Sequence, residues 1–132
     1  MITKKIHFTI DKTDRAEAFK KTLLKKYKNY PPHKSSIIVV IGGDGFMLET
    51  LKKYKKYQKP FYGMNRGTFG FLMNKFKIKD ITKSISKAKQ VTISALEMHA
   101  ITKSNIKRSA IAINEVSLLR QSRQAAYLQV LN

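Results

Sequence analysis

The spacing of apolar residues changes character several times along the first ninety positions. Lys4 to Ile10 alternates in part and predicts a strand. Asp14 followed by Glu17 resembles a capping box with Asp14 as the N-cap. Ala16, Phe19, Leu23 and Tyr27 then recur at spacings of three and four, which marks one face of a helix. Pro31-Pro32 closes that unit. Ser36 to Ile41 is apolar on both faces, the pattern of a strand in a parallel sheet covered by helices. A glycine-rich turn follows, then a helix beginning near Phe46 whose apolar stripe is Met47, Leu48, Leu51 and Tyr54. Pro60 precedes a short third strand, Phe61 to Met64, and Ile78, Ile81, Ile85 and Ala88 predict a helix from about Asp80 to Lys89. The alternation of strand and helix implies an α/β fold with a doubly wound parallel sheet. Ligands of such sheets bind beyond the carboxyl ends of the strands.

The pattern changes after Gln90. Val91 to Ile101 and Ala110 to Leu119 read as strands, joined by a polar turn from Lys103 to Ser109. With no crossover helix between them, they are expected to pair antiparallel. The boundary falls near residue 92, giving an α/β domain over 1–92 and the beginning of a β-rich second domain over 93–132. The last residues, Leu128 to Asn132, are again strand-like. Two or three strands barely make a stable unit, so this second domain reads as incomplete.

Composition narrows the class. Apolar residues make up 42% of the 132 positions, enough for a packed core. No stretch approaches the ~20 apolar residues of a membrane span, and no apolar leader opens the chain, so the expectation is a cytoplasmic protein with no membrane partner. Cys is absent, which excludes disulfides and thiolate metal sites within this sequence. The net charge of +19 invites a nucleic-acid reading. However, Lys supplies 22 of the 27 basic residues, and Arg is the residue expected for base readout. The lysines also read as scattered over surface helix positions such as Lys52-Lys53 and Lys55-Lys56, a solvated face, so no nucleic-acid partner is expected. A positive field can still steer anionic nucleotides.

Chemistry concentrates in two glycine loops at strand ends. The first is Gly42-Gly43-Asp44-Gly45, directly after the apolar run Ile37 to Ile41. The glycines free the backbone to bend and offer N–H groups to phosphate oxygens. Asp44, at the positive end of a helix dipole, can orient a hydroxyl or take its proton during phosphoryl transfer. Helix capping alone would account for Asp44 but not for three flanking glycines. The second loop holds Gly63, Gly67 and Gly70, with Arg66 and Gly67 as candidate phosphate contacts. Phe69 and Phe71 are more often core residues than stacking platforms, although Leu48 and Phe71 can line an adenine pocket. Asn114-Glu115 interrupts the apolar run from Ala110 to Val116. Inside a strand the two would point to opposite faces, and burying them without partners would be costly. A ribose hydroxyl or an adenine amino group would supply partners, whereas a solvent-facing Glu at a β-bulge would need none. His7, His33 and His99 share no metal-ligand spacing, and no metal-ligating residues are assigned. Two phosphate-compatible turns in one small α/β unit suggest a nucleotide-handling enzyme.

Gly42-Gly43-Asp44-Gly45, the run Gly63 to Leu72, and Asn114-Glu115 closely resemble, in that order, the signatures of NAD kinases. The resemblance covers essentially the whole chain. It implies an α/β first domain and a β-rich second one. It further implies transfer of a phosphoryl group from ATP, or polyphosphate, to the 2′-hydroxyl of the NAD adenosine ribose, yielding NADP. Asp44 would engage that hydroxyl and accept its proton, and Asn114 and Glu115 would contact NAD with Gly45. A divalent metal, Mg in the first instance, and a homo-oligomer at full length are implied as well. Many members carry Thr where this chain has Phe46. Family chains also continue past this length, so the chain is expected to be an N-terminal portion, weakly active at best by itself. Three other readings stay open. Diacylglycerol- and sphingosine-type lipid kinases share Gly-Gly-Asp-Gly, but their second signature usually contains Gly-Thr-Gly-Asn-Asp, which Gly63 to Leu72 does not match. The others are a non-catalytic nucleotide-binding remnant and a basic nucleic-acid-binding protein.

Overall fold

The computed structural model describes residues 4–12, 14–65, 70–76 and 80–131. They divide into two compact units, Met1–Gln90 and Val91–Asn132. The first unit is built on four parallel strands, β1 (Ile6–Ile10), β2 (Ile37–Ile41), β3 (Phe61–Asn65) and β4 (Asn74–Lys75), ordered β1-β2-β3-β4. Three helices accompany them: α1 (Asp14–Lys26), α2 (Asp44–Tyr54) and α3 (Ile81–Lys87). The fold is mixed α/β, as the alternation of strands and helices requires.

The register explains why β2 is apolar throughout. Ile6 to Ile10 pair with Ile37 to Ile41, and Ile38 to Ile41 pair with Phe61 to Met64, so β2 is a central strand. All five of its residues are buried, and Ile38, Val39 and Val40 are fully removed from water. Side chains alternate between faces. Ile37, Val39 and Ile41 join Ile6, Phe8, Phe19, Leu23, Ile81 and Ile85 in one cluster, so α1 and α3 cover that face. Ile38 and Val40 pack with Met47, Phe46, Leu51 and Tyr54 on the other, under α2. Each such aliphatic side chain contributes about 1.5–3 kcal/mol through burial. Among the described residues no helix is long and apolar enough to cross a membrane.

Several boundaries differ from expectation. Asp14 is the first residue of α1 rather than its cap, and the side chains of the proposed capping pair and of Ala16 lie outside those described. Ile78 also lies outside the described residues; Ile81 and Ile85 carry the buried face of α3 as expected. The two-residue strand β4 follows the second loop and is too short to carry a periodic signal.

In the second unit, β5 (Leu96–Ile101) and β6 (Lys107–Ala112) form an antiparallel hairpin, with Leu96 opposite Ala112 and Ile101 opposite Lys107. The turn spans Thr102 to Ile106. The Thr102 N–H donates to the Ile106 carbonyl at 3.0 Å, the Asn105 N–H to the Thr102 carbonyl at 2.9 Å, and Asn105 takes the left-handed conformation. The expected strands ran too far at their outer ends, Val91 and Leu119, while β6 begins at Lys107, inside the expected turn Lys103 to Ser109. The ladder stops where β5 begins, so residues past Ala112 have no partner strand, and Leu118 and Leu119 are exposed. Leu128 to Leu131 form no strand either.

Candidate functional site

The connections leaving β1 and β2 lead to helices on opposite faces of the sheet. Such a divergence opens a crevice between the carboxyl ends of the two strands. Backbone hydrogen bonds fix its floor. The Asp11 N–H donates to the Ile41 carbonyl at 2.9 Å, and the Gly42 N–H donates to the Met64 carbonyl at 3.2 Å. The ladders therefore run one residue past the strands and bring Asp11 and Gly42 side by side at the carboxyl edge of the sheet.

Helix α2 starts two residues earlier than expected. Gly43 is its N-cap, Asp44 its first residue, and the first helical bond runs from the Met47 N–H to the Gly43 carbonyl at 3.0 Å. Asp44 therefore does not cap the helix. Its half-buried carboxylate reaches the second loop instead. Oδ2 accepts the Phe71 N–H at 2.8 Å, and Oδ1 accepts the Leu72 N–H at 3.1 Å. Two charge-assisted bonds to consecutive amides fix the group in place. An ionised carboxylate offers about four lone-pair positions, so each oxygen keeps capacity to accept from a hydroxyl.

The glycines divide by the space beside them, and none of those described has a positive φ. A Cβ at Gly42 would meet Phe46 Cδ1 at 2.8 Å and Asp11 Cβ at 3.1 Å. A Cβ at Gly70 would meet Asp44 Oδ1 at 2.8 Å, and one at Gly63 would collide with Met73 Sδ and meet Met47 Cε at 2.7 Å. These three positions are glycine because neighbours fill the room. Among the described residues, nothing lies within 4 Å of where a Cβ would stand at Gly43 or Gly45. Packing among the described residues does not call for glycine at those two positions, which leaves the first turn of α2 open to a ligand. Helix geometry leaves the amides of that turn without intrahelical acceptors, and the dipole favours an anion there. At Gly42 the amide serves the sheet, and the missing side chain makes room for Phe46. That contact also accounts for Phe46, which packs with Ile38 and Val40.

Of the other candidates, Leu48 is half-buried on α2. Phe71 is not a core residue: its side chain is 103% exposed while its amide holds Asp44. Asp44 and Phe71 are thus brought together, through backbone rather than ring. Arg66, Gly67 and Phe69 lie outside the described residues. Asn114 and Glu115 belong to the second unit, follow the end of β6 and are both exposed, so the argument from burial inside a strand does not hold for them. The ladder ends at Ala112, and among the described residues no strand pairs with the chain beyond it.

Sequence reasoning missed Asp11. It follows β1 as the glycine loop follows β2, and that position was the available signal. Its Oδ1 accepts the Lys12 N–H at 2.8 Å. Missed as well was Asn74, whose Nδ2 donates to the Gly63 carbonyl at 3.1 Å and ties β4 to β3. Behind the site, burial pushes the Tyr62 phenol above its ordinary pKa, offset in part by a hydrogen bond with Ser84. Among the described residues no three His, Asp or Glu side chains gather to hold a metal ion.

An anion-receptive helix start beside a crevice of a parallel sheet is the layout of nucleotide-binding α/β proteins. Residues 2–92 match the ATP-NAD kinase N-terminal domain. The chain is 42% identical over 125 residues to an NAD kinase of Brucella suis, an alignment spanning 95% of this chain and 49% of that protein. It is 44% identical over 120 residues to one of Caulobacter vibrioides (89% and 46%), and 40% identical over 127 residues to one of Hyphomonas neptunium (96% and 50%). The chain belongs to the NAD kinase family. It spans about half the length of the curated relatives it matches.

Proposed function

We propose that this chain supplies the phosphoryl-transfer unit of an NAD kinase. The observation that carries the reading is the Asp44 carboxylate, fixed by the Phe71 and Leu72 amides beside two open glycine positions. The relatives named NAD kinase, similar over nearly all of this chain, supply the substrates. In this reading NAD presents its adenosine ribose to Asp44, and the donor phosphates approach Gly43, Gly45 and the first-turn amides of α2. Asp44 accepts the 2′-hydroxyl proton as that oxygen bonds to the terminal phosphorus of ATP. The phosphorus–oxygen bond to the leaving ADP breaks, and NADP forms. Leu48 and Phe71 flank the adenine, Arg66 and Gly67 assist at the phosphates, and Asn114 and Glu115 contribute to NAD binding.

The described side chains do not form a cage for a divalent ion, and no step is assigned to one. Mg²⁺ commonly arrives on the phosphates it serves, with few protein ligands. Polyphosphate is the alternative donor. A cytoplasmic setting and assembly into a homo-oligomer complete the proposal.

The test offers labelled ATP, with NAD and diacylglycerol in parallel, to the natural protein that contains this chain. Label in NADP is the expected result. Label in the lipid alone would replace this reading with a lipid kinase.

A further inference from the structure

Half of the lysines gather at one edge of the first unit. In a parallel α/β unit the helix-to-strand connections all meet at the amino edge of the sheet, opposite the crevice. Here that edge is made by residues 4–5, which lead into β1, and by the ends of α1 and α2 with the segments that follow them, 25–36 and 52–60. They hold eleven of the chain's 22 lysines and no Asp or Glu. Hydrogen bonds draw them into one surface. The Ser36 N–H donates to the Lys5 carbonyl at 2.7 Å, the Tyr30 N–H to the Ile6 carbonyl at 2.9 Å, and the Ile38 N–H to the Pro60 carbonyl at 3.0 Å. His7 pins the middle. Its Nδ1 lies 2.8 Å from the Tyr30 carbonyl and its Nε2 3.4 Å from the Tyr54 hydroxyl.

Tyrosine rings lie between these cations. Lys5 and Lys28 stand 5.9 and 5.3 Å from the centre of the Tyr30 ring, Lys53 stands 5.2 Å over Tyr54, and Lys56 stands 5.2 Å over Tyr57. Tyr54 and Tyr57 are 6.1 Å apart and tilted by 36°. Complementing the helix dipoles accounts for lysines in the last turns of α1 and α2. It does not account for Lys28, which follows α1, or Lys59, which follows the 3-10 turn Lys55–Tyr57 at the end of α2.

We propose that this amino edge binds a single-stranded polynucleotide without sequence preference. The edge contains no Arg, so bidentate reading of base edges is not built in. Lysines act as point charges on a phosphate chain, and half-exposed tyrosines between them suit unpaired bases, which stack on aromatic rings whatever their identity. A lipid surface fits less well. Among the described residues Leu24 is the large exposed apolar residue near this edge, which gives a bilayer little to take up. This surface is independent of the crevice, so its fate and that of the kinase reading are separable.

The test is fluorescence anisotropy of the full chain with a labelled oligouridylate of about twenty nucleotides. Contact with about five phosphates predicts an affinity that falls about 100-fold between about 50 and 200 mM salt. The combined variant Lys28→Gln, Lys53→Gln and Lys56→Gln is expected to lose at least about tenfold and to flatten that dependence. Lys75→Gln, Lys103→Gln and Lys107→Gln together remove the same charge elsewhere and are expected to stay within about twofold. Tyr57→Ala is expected to weaken binding about fivefold or more, with Tyr57→Phe unchanged, and circular dichroism confirms that each variant is folded. Equal losses in the two lysine variants would overturn the proposal. So would indifference to Tyr57→Ala, which would leave a bare polyanion site, or binding to phosphatidylglycerol vesicles and not to the oligonucleotide.

Discussion

Every residue of β2 is out of water, whereas no residue of β5 or β6 is fully buried. Both units contain strands rich in Ile, Val, Leu or Ala, so the difference does not come from the strand sequences alone. It comes from layering. β2 has a hydrogen-bonded neighbour on each side and helices over both faces. The hairpin has one ladder, and Leu96, Ile101 and Ile111 remain 47%, 69% and 51% exposed. On its surface His99 reaches Glu97 at 3.6 Å and Ser109 at 2.9 Å, contacts that are exposed and contribute little. The Asp44 carboxylate is held where the layers are complete, and a group fixed by two amides needs a backbone that does not move beneath it.

Substitutions can break this comparison. The largest effect on stability is expected at the centre of β2. Ile38→Ala removes a fully buried side chain from the α2 face and should cost about 2–5 kcal/mol in urea unfolding. A cost below about 1 kcal/mol would mean that the face is not packed as described. Gly42→Ala comes next. It must displace Phe46 or Asp11, and about 1–3 kcal/mol is expected. Its counterpart Gly43→Ala has open space, with φ at −101°, and should leave the unfolding midpoint within about 0.5 kcal/mol. The same variant should weaken nucleotide binding, because the added methyl occupies the ligand's approach. Ile111→Ala, the hairpin counterpart of Ile38→Ala, should change stability by no more than about 0.5 kcal/mol.

The smallest effect expected is on pH dependence. The raised pKa of Tyr62 means that the folded state holds its proton more tightly than the unfolded chain. That stabilisation is complete below pH 10, the unfolded value, and is lost as pH rises through the higher folded value. Tyr62→Phe should therefore lose less stability than the parent between pH 9 and 11. Equal alkaline losses would show that Tyr62 is not desolvated.

Much of the first unit was legible because its signals are local. The both-face apolarity of Ile37 to Ile41 marks a central parallel strand, and the Phe19, Leu23 and Tyr27 spacing marks α1. The Gly-Gly-Asp-Gly run located the carboxylate. What holds that carboxylate was not legible, because the amides of Phe71 and Leu72 come from a loop 27 and 28 residues away. Nor could composition show which glycines are closed off by Phe46, Met73 and Asp44 and which are open. The strand limits after residue 90 failed for a related reason. Apolar runs such as Val116 to Leu119 look like strands, but a strand needs a partner, and the partner ladder ends at Leu96. The gathering of half the lysines at one edge of the sheet was not legible either, because the segments that hold them are far apart along the chain.

The account turns on what Asp44 does. The direct test is single-turnover formation of NADP by the natural protein bearing Asp44→Asn, with NAD affinity measured alongside. Asn retains one acceptor for the loop amides, so the affinity separates lost proton transfer from a displaced loop. NAD binding within about threefold of the parent and a rate lower by about 10³-fold are predicted. A rate within about tenfold of the parent would contradict the role assigned to this carboxylate.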